Sequence, residues 1–250
     1  MLHGFMGSGR LLYAPALQLI DSVNPAVIDL LGHDRTGGSE DPGRFNAEEQ
    51  VQDLTLILDR LELSPLWLHG YSMGGRLALQ LAAAEPRLFE GLILESSGFG
   101  ITELPQRDER QKADEKRACR IETDFTGFLD DWQQLPLFSA PSDTEITERH
   151  KDYRSVMSAQ KPAWMAASLR GFGAGIMPPL EKHLSSIDLP VLLLSGEFDQ
   201  KYRSIHQRMS SLLPNAHTKI VKEAAHRIHL DRPESWAESI QTFIRNPKKS

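Results

Sequence analysis

Short apolar runs bounded by turn residues alternate along this chain with amphipathic stretches, the pattern expected of a mostly parallel sheet with helices on both faces. The runs that predict strands are Ala26–Leu30, Leu66–His69, Gly91–Glu95, Val191–Ser195 and Thr218–Val221. Between them the spacing predicts helices over Ala47–Leu61 and Gly75–Ala84. The second of these places Leu77, Leu81 and Ala84 on one face and stops ahead of Pro86, whose ring disfavours helical backbone in the preceding residue. A last helix, Pro233–Ile244, carries proline in its first turn, where no intrahelical N–H is required.

The stretch 99–179 follows a different rule. It has no convincing strand, a dense charge run at Arg107–Arg120, and helical patterns at Asp143–Met157 and Pro162–Leu169. The expectation is one α/β domain over 1–250 with a helical lid, 99–179, inserted between two strands of its sheet. Lids of this kind cover a site and select what enters it.

Composition narrows the partners. With 28 basic and 34 acidic residues the formal net charge is -6, which argues against nucleic acid or an anionic membrane as the main partner. A local arginine cluster can still receive a small anion. The single cysteine, Cys119, can close no internal disulfide and build no cysteine metal set, so a reducing cytoplasm fits. The start, Met1-Leu2-His3-Gly4-Phe5, carries no export signal, and no apolar run approaches the roughly 18 residues of a membrane span. Lys248 and Lys249 read as a short frayed basic end.

Chemistry enters at Gly70-Tyr71-Ser72-Met73-Gly74, a G-x-S-x-G sequence between an apolar strand and a helix of small residues. Such a turn presents the serine hydroxyl at a helix start, where the Met73 amide can hold a developing oxyanion. A serine needs a base, and the base an acid, in the chain order Ser, Asp, His. Asp199 follows the strand Val191–Ser195 in Ser195-Gly196-Glu197-Phe198-Asp199, and His226 follows the last strand in Ala224-Ala225-His226-Arg227-Ile228-His229. Glu197 and His229 are local competitors for the two roles; Asp199 and His226 are preferred for their places in the two loops. His226 and His229 also stand at metal-ligand spacing, but no HExxH or Cys/His set accompanies them. Near the start, His3-Gly4-Phe5-Met6-Gly7 looks like the segment whose backbone amide, here that of Phe5, completes an oxyanion hole; His3 itself reads as structural. Arg76, one turn after Ser72, is placed to face the pocket, and guanidinium groups bind carboxylates bidentately.

Five segments together carry a resemblance. His-Gly-Phe-Met-Gly-Ser-Gly, Gly-Tyr-Ser-Met-Gly-Gly-Arg, Asp-Trp-Gln-Gln-Leu-Pro-Leu-Phe, Ala-Ala-Ser-Leu-Arg-Gly-Phe-Gly-Ala-Gly and Gly-Glu-Phe-Asp-Gln-Lys-Tyr make the chain similar, over nearly its whole length, to 2-succinyl-6-hydroxy-2,4-cyclohexadiene-1-carboxylate synthases of menaquinone or phylloquinone biosynthesis. These have the α/β-hydrolase fold. The resemblance implies a lyase that removes pyruvate from a succinyl-enolpyruvyl-hydroxycyclohexene carboxylate, with Ser72, His226 and Asp199 as its general-base system and no metal or organic cofactor. It further implies that Tyr71, Arg76, Arg110, Trp132, Phe138 and Arg154 bind a small polycarboxylate substrate. Arg107, Arg110, Arg117 and Arg120 otherwise read as one solvated helix face.

Three departures stand out. Relatives carry further strands before the His-Gly motif, so the first central strand is a stub here. Gly-His-Asp-Arg-Thr-Gly-Gly-Ser at 32–39 replaces a shorter Gly-His-Gly-x-Ser, and Ala225 stands where a glycine usually precedes the histidine. Two competing functions use the same motifs: a carboxylesterase or C–C bond hydrolase with Ser72 as covalent nucleophile, and a catalytically silent binding protein.

Overall fold

The strand-forming runs align as a parallel sheet in which β1 (Leu66–Tyr71), β2 (Phe89–Glu95), β3 (Val191–Gly196) and β4 (Ala216–Val221) lie in that spatial order. A computed structural model describes residues 1–139 and 144–247, and at 144–147 the backbone alone. Asp143, the expected first residue of a lid helix, and the basic pair Lys248 and Lys249 lie outside the described residues.

β3 is buried at every position, as a strand covered on both faces must be. Alternate side chains feed two cores. Leu92, Leu94 and Leu193 pack under α2 (Ala47–Arg60) and α3 (Met73–Ala84), together with Leu54, Leu77 and Leu81. Ile93 and Leu192 pack on the other face with Trp236, Ile240 and Phe243 of α9 (Pro233–Arg245). α2 starts where the Asn46 side chain accepts the Glu49 amide and two glutamates occupy its first turn, satisfying a free donor and complementing the helix dipole.

One expected strand is not formed. Ala26–Leu30 contributes a single bridge at Ile28, because the segment it pairs with in this chain presents only Leu2, which bridges Ile28 on one side and Gly70 on the other. Each remaining strand runs one or two residues beyond one of its expected ends and stops at the other. α1 (Gly9–Leu17) and α8 (Gln200–Leu212) are helices that the periodicity did not suggest.

Between β2 and β3 the described residues form helices: α4 (Leu104–Thr123), α5 (Phe125–Gln133), α6 (Thr144–Ser158) and α7 (Pro162–Phe172). The charge run lies along α4, where Arg110, Asp114 and Arg117 turn inward and Asp114 is buried. The insertion has its own apolar core, in which Ala118, Ile121, Phe128, Leu129, Met157 and Met165 close on Met6 and Leu230 of the sheet layer. Among the described residues no helix is long and apolar enough to cross a membrane.

Candidate active site

Ser72 ends β1 and starts α3 with φ 51 and ψ -107, a backbone conformation that side chains other than glycine rarely adopt. The surroundings hold it there. A Cβ at position 70 would stand 2.5 Å from the Gly74 oxygen, and one at position 74 would strike the His3 carbonyl, so the strand, the turn and the helix approach as closely as glycine permits. The Ser72 amide donates to the Glu95 carbonyl at 2.9 Å, and Ser97 Oγ donates to the Ser72 carbonyl at 2.9 Å.

His226 Nε2 accepts from Ser72 Oγ at 3.0 Å, and His226 Nδ1 donates to Asp199 Oδ2 at 2.7 Å. Burial lowers the imidazole below its ordinary 6.5, with Asp199 opposing the shift, so the ring is a free base at neutral pH. Asp199 has a second task. Its Oδ1 accepts the Tyr202 amide at 3.2 Å and caps α8. The two local competitors are occupied elsewhere: Glu197 accepts the Glu223 amide near the surface, and His229 Nδ1 donates to the buried Glu95 Oε1 at 2.7 Å, away from the cavity at Ser72.

A cavity of about 280 Å³ opens at Ser72 and is lined by Phe5 and Met73 as well as by His226. The Phe5 and Met73 amides donate no backbone hydrogen bond to the described residues, so both are free for a ligand oxygen. Two neutral imidazoles shape the Phe5 segment. His3 Nε2 accepts the Leu30 amide while its Nδ1 donates to the Gly4 carbonyl, and His33 Nε2 accepts the Met6 amide while its Nδ1 donates to the Leu31 carbonyl. Burial pushes them down to about 4 and about 3, so each keeps the uncharged form its bonds require. A larger hollow of about 490 Å³ beside Met1, Trp67 and Ile93 is mainly apolar and holds no serine–histidine–aspartate line; volume alone does not locate the chemistry.

The wall around Ser72 is cationic. Arg76, Arg110, Arg117, Lys201 and Arg227 line the cavity, against the single carboxylate of Asp114 among the described lining residues. Arg110 Nε reaches both oxygens of Asp114, at 2.9 and 2.8 Å, and Arg117 Nη1 holds Oδ1 at 2.8 Å. Arg76 stands over the Phe172 ring with its Nε buried and unpartnered, and burial pushes its guanidinium down to about 10, still charged at neutral pH.

Tyr71, Arg76, Arg110, Trp132 and Phe138 thus converge with Ser72 and His226 on one cavity. Arg154 does not. It lies outside the lining and pairs with Asp130 at 2.7 Å on the outer side of α6, because its position on the helix turns it toward α5. Of the four arginines on α4, Arg110 and Arg117 face the cavity, whereas Arg107 donates to the Ile176 carbonyl and Arg120 pairs with Asp131. Sequence reading passed over Tyr153, Ser168, Phe172, Lys201, Tyr202 and Arg227 as lining residues. Lys201 and Tyr202 were within reach, since they close the Gly-Glu-Phe-Asp-Gln-Lys-Tyr segment, and Arg227 is the residue after His226.

A family model described as the alpha/beta hydrolase family matches residues 1–239. The putative 2-succinyl-6-hydroxy-2,4-cyclohexadiene-1-carboxylate synthase of Bacillus subtilis (strain 168) is 35% identical over 97% of this chain and 88% of its own length. The chain belongs to this synthase family of α/β hydrolases. The synthase of Escherichia coli O1:K1 / APEC is 28% identical over 98% of this chain and 92% of its own. Among solved structures, MenH from S. aureus matches with a TM-score of 0.92 and 33% identity, covering 98% of this chain and 92% of that one. The 32–39 segment holds the start of the chain through His33, whose Nε2 accepts the Met6 amide at 3.2 Å.

Proposed function

We propose that this protein is a synthase of its family's named kind, a lyase that converts 2-succinyl-5-enolpyruvyl-6-hydroxy-3-cyclohexene-1-carboxylate to 2-succinyl-6-hydroxy-2,4-cyclohexadiene-1-carboxylate and pyruvate. The observation that carries the reading is a Ser72–His226–Asp199 line whose serine and histidine open on a cationic cavity of a chain whose net charge is -6. A cavity walled by arginine suits a substrate with several carboxylates, and a neutral ester has no use for it.

The two names dictate the electron flow. The C2 proton, acidified by the adjacent succinyl ketone, goes to Ser72 Oγ as His226 Nε2 takes the hydroxyl proton. The C2–H electron pair becomes the C2=C3 bond, the C3=C4 pair shifts to C4=C5, and the C5–O bond breaks. Pyruvate leaves as its enolate and takes a proton back from His226. The Phe5 and Met73 amides hold the charge that builds on the succinyl carbonyl oxygen, with Asp199 keeping the imidazole in the needed tautomer. Arg76 and Arg110 take carboxylates, with Tyr71, Trp132 and Phe138 packing the ring. No metal or organic cofactor has a part in this scheme. We read 99–179 as the lid of a single domain 1–250, and the exposed, unpaired Cys119 fits a cytoplasmic enzyme.

The test is pyruvate release from the succinyl-enolpyruvyl substrate, coupled to lactate dehydrogenase, in wild type and Ser72→Ala. Release that depends on Ser72 is expected; a folded wild type that releases none sinks the lyase. The elbow geometry at Ser72 favours one second reading, hydrolysis through an acyl-enzyme, which a Ser72-dependent burst with a nitrophenyl ester would reveal.

A further inference from the structure

Arg227 is only 2% exposed, yet no carboxylate pairs with it among the described residues. Its guanidinium lies between two aromatic faces of the insertion, 3.9 Å from the Phe138 ring centroid and 4.1 Å from that of Tyr153. Its Nη2 reaches the Met157 sulfur, at 4.0 Å, the Tyr71 phenol interacts with the same guanidinium, and its Nε is buried with no partner. Stacking on both faces and the neutral Tyr71 phenol account for where the plane sits but leave the Nε–H unanswered and supply no counter-charge, and a buried cation without one is expensive. The acidic groups of this region are committed: Asp199 to His226, and Glu95 to His69, His229 and Trp236. The neighbouring phenols, Tyr71 and Tyr153, are kept protonated by burial and supply no negative charge.

The residue nevertheless lines the cavity at Ser72. It does so apart from the other arginines. Arg110 and Arg117 gather around Asp114 on α4, and Arg76 stands against Phe172 of α7, while Arg227 is held by Phe138 and by Tyr153 of α6. The arginines of the cavity, Lys201 aside, therefore stand at two separate points, and only the one around Asp114 is partly neutralised.

We propose that Arg227 forms a second carboxylate subsite, held rigid by the Phe138–Tyr153 sandwich, so that the cavity accepts ligands bearing two anionic groups, one for the Arg76–Arg110–Arg117 side and one for Arg227. The inference deepens the lyase reading and rests on it for the identity of the natural ligand, though the subsite itself is defined by charge alone. Because Arg227 follows His226 directly, an anion bound there is also fixed relative to the base.

The test uses benzene-1,2-dicarboxylate (phthalate) and its uncharged diamide as calorimetric probes of the intact protein, beside pyruvate release. Arg227→Met keeps an unbranched side chain between the two rings without the charge; Arg227→Lys keeps the charge. The expected result is that Arg227→Met weakens phthalate at least tenfold and leaves the diamide unchanged, that Arg227→Lys retains more phthalate affinity than Arg227→Met, and that the KM of the succinyl substrate rises more than its kcat falls. Equal weakening of both probes, equal loss in both variants, or no phthalate binding by wild type would overturn the subsite and leave Arg227 as a lid anchor. If wild type releases no pyruvate but discriminates phthalate through Arg227, the lyase reading fails and the subsite stands. Pyruvate release with unchanged KM and unchanged phthalate affinity in Arg227→Met would sink the subsite alone.

Discussion

Two buried carboxylate–imidazole pairs lie side by side in this protein, both against the Tyr71 ring, whose centroid is 5.3 Å from that of His226 and 4.7 Å from that of His229. Asp199–His226 and Glu95–His229 have the same 2.7 Å contact through the same ring nitrogen. What differs is the rest of each shell. The free nitrogen of His226 meets Ser72 Oγ at the wall of a cavity. Glu95 instead collects the Nε–H of His69, the amide and Nδ1–H of His229, and the Nε1–H of Trp236, with no exposed surface of its own. The same kind of pair thus opens on a serine in one place and ties three elements together in the other, and the groups around it decide which.

Substitution should separate the two. His226→Ala should lower turnover about 10²–10⁴-fold, the usual range for a general base, while the melting temperature hardly moves. Glu95→Ala should do the reverse. It strips the shared acceptor from four buried donors and should destabilise the fold by about 3–5 kcal/mol, read as a lower urea midpoint at unchanged slope. Burial alone would raise the Glu95 carboxyl, but the charge and hydrogen bonds of His229 and His69 outweigh it and hold it well below the usual range. A Glu95→Ala protein that melts normally would mean that the second pair is no knot at all.

A pH series sharpens the same contrast. His3, His33 and His206 are held neutral by burial at about 4, 3 and 4, against 6.5 when unfolded. For a histidine with a depressed folded value the unfolded chain binds the extra proton, so stability is complete above pH 6.5 and lost as pH falls. Each site contributes a slope of about 1.4 kcal/mol per pH unit between its folded value and 6.5. Turnover should show its own acid limb, also below 6.5, from His226. Stability flat from pH 7 down to 5 would refute the assignment of neutral, buried rings. The smallest effect is expected at Arg154, where the pair with Asp130 is largely solvated. Arg154→Ala should change stability by about 0–1 kcal/mol and leave kcat/KM unaltered.

Much of this was legible in the residues themselves. Strands buried on both faces announce themselves as apolar runs, and a serine between a strand and a glycine-rich helix needs little more than its neighbours to be recognised. Asp199 and His226 were readable because they sit in loops that follow strands. Non-local contact was not readable. Ile28 failed as a strand because its partner here is a single residue, and Arg154 failed as a ligand-facing residue because Asp130, far off in sequence, lies beside it. Arg227 was overlooked for a related reason. An arginine beside a histidine reads as an ordinary surface charge until Phe138 and Tyr153, distant along the chain, close over it.

The double use of Asp199 has a mechanical corollary. One carboxylate oxygen orients the base, and the other pegs the first turn of α8, where Lys201 and Tyr202 project into the same cavity. A ligand that pulls on either side chain therefore strains a helix end whose anchor is the acid itself. The cavity wall and the imidazole share one carboxylate as their common anchor, barely one helical turn from the side chains that a ligand would touch.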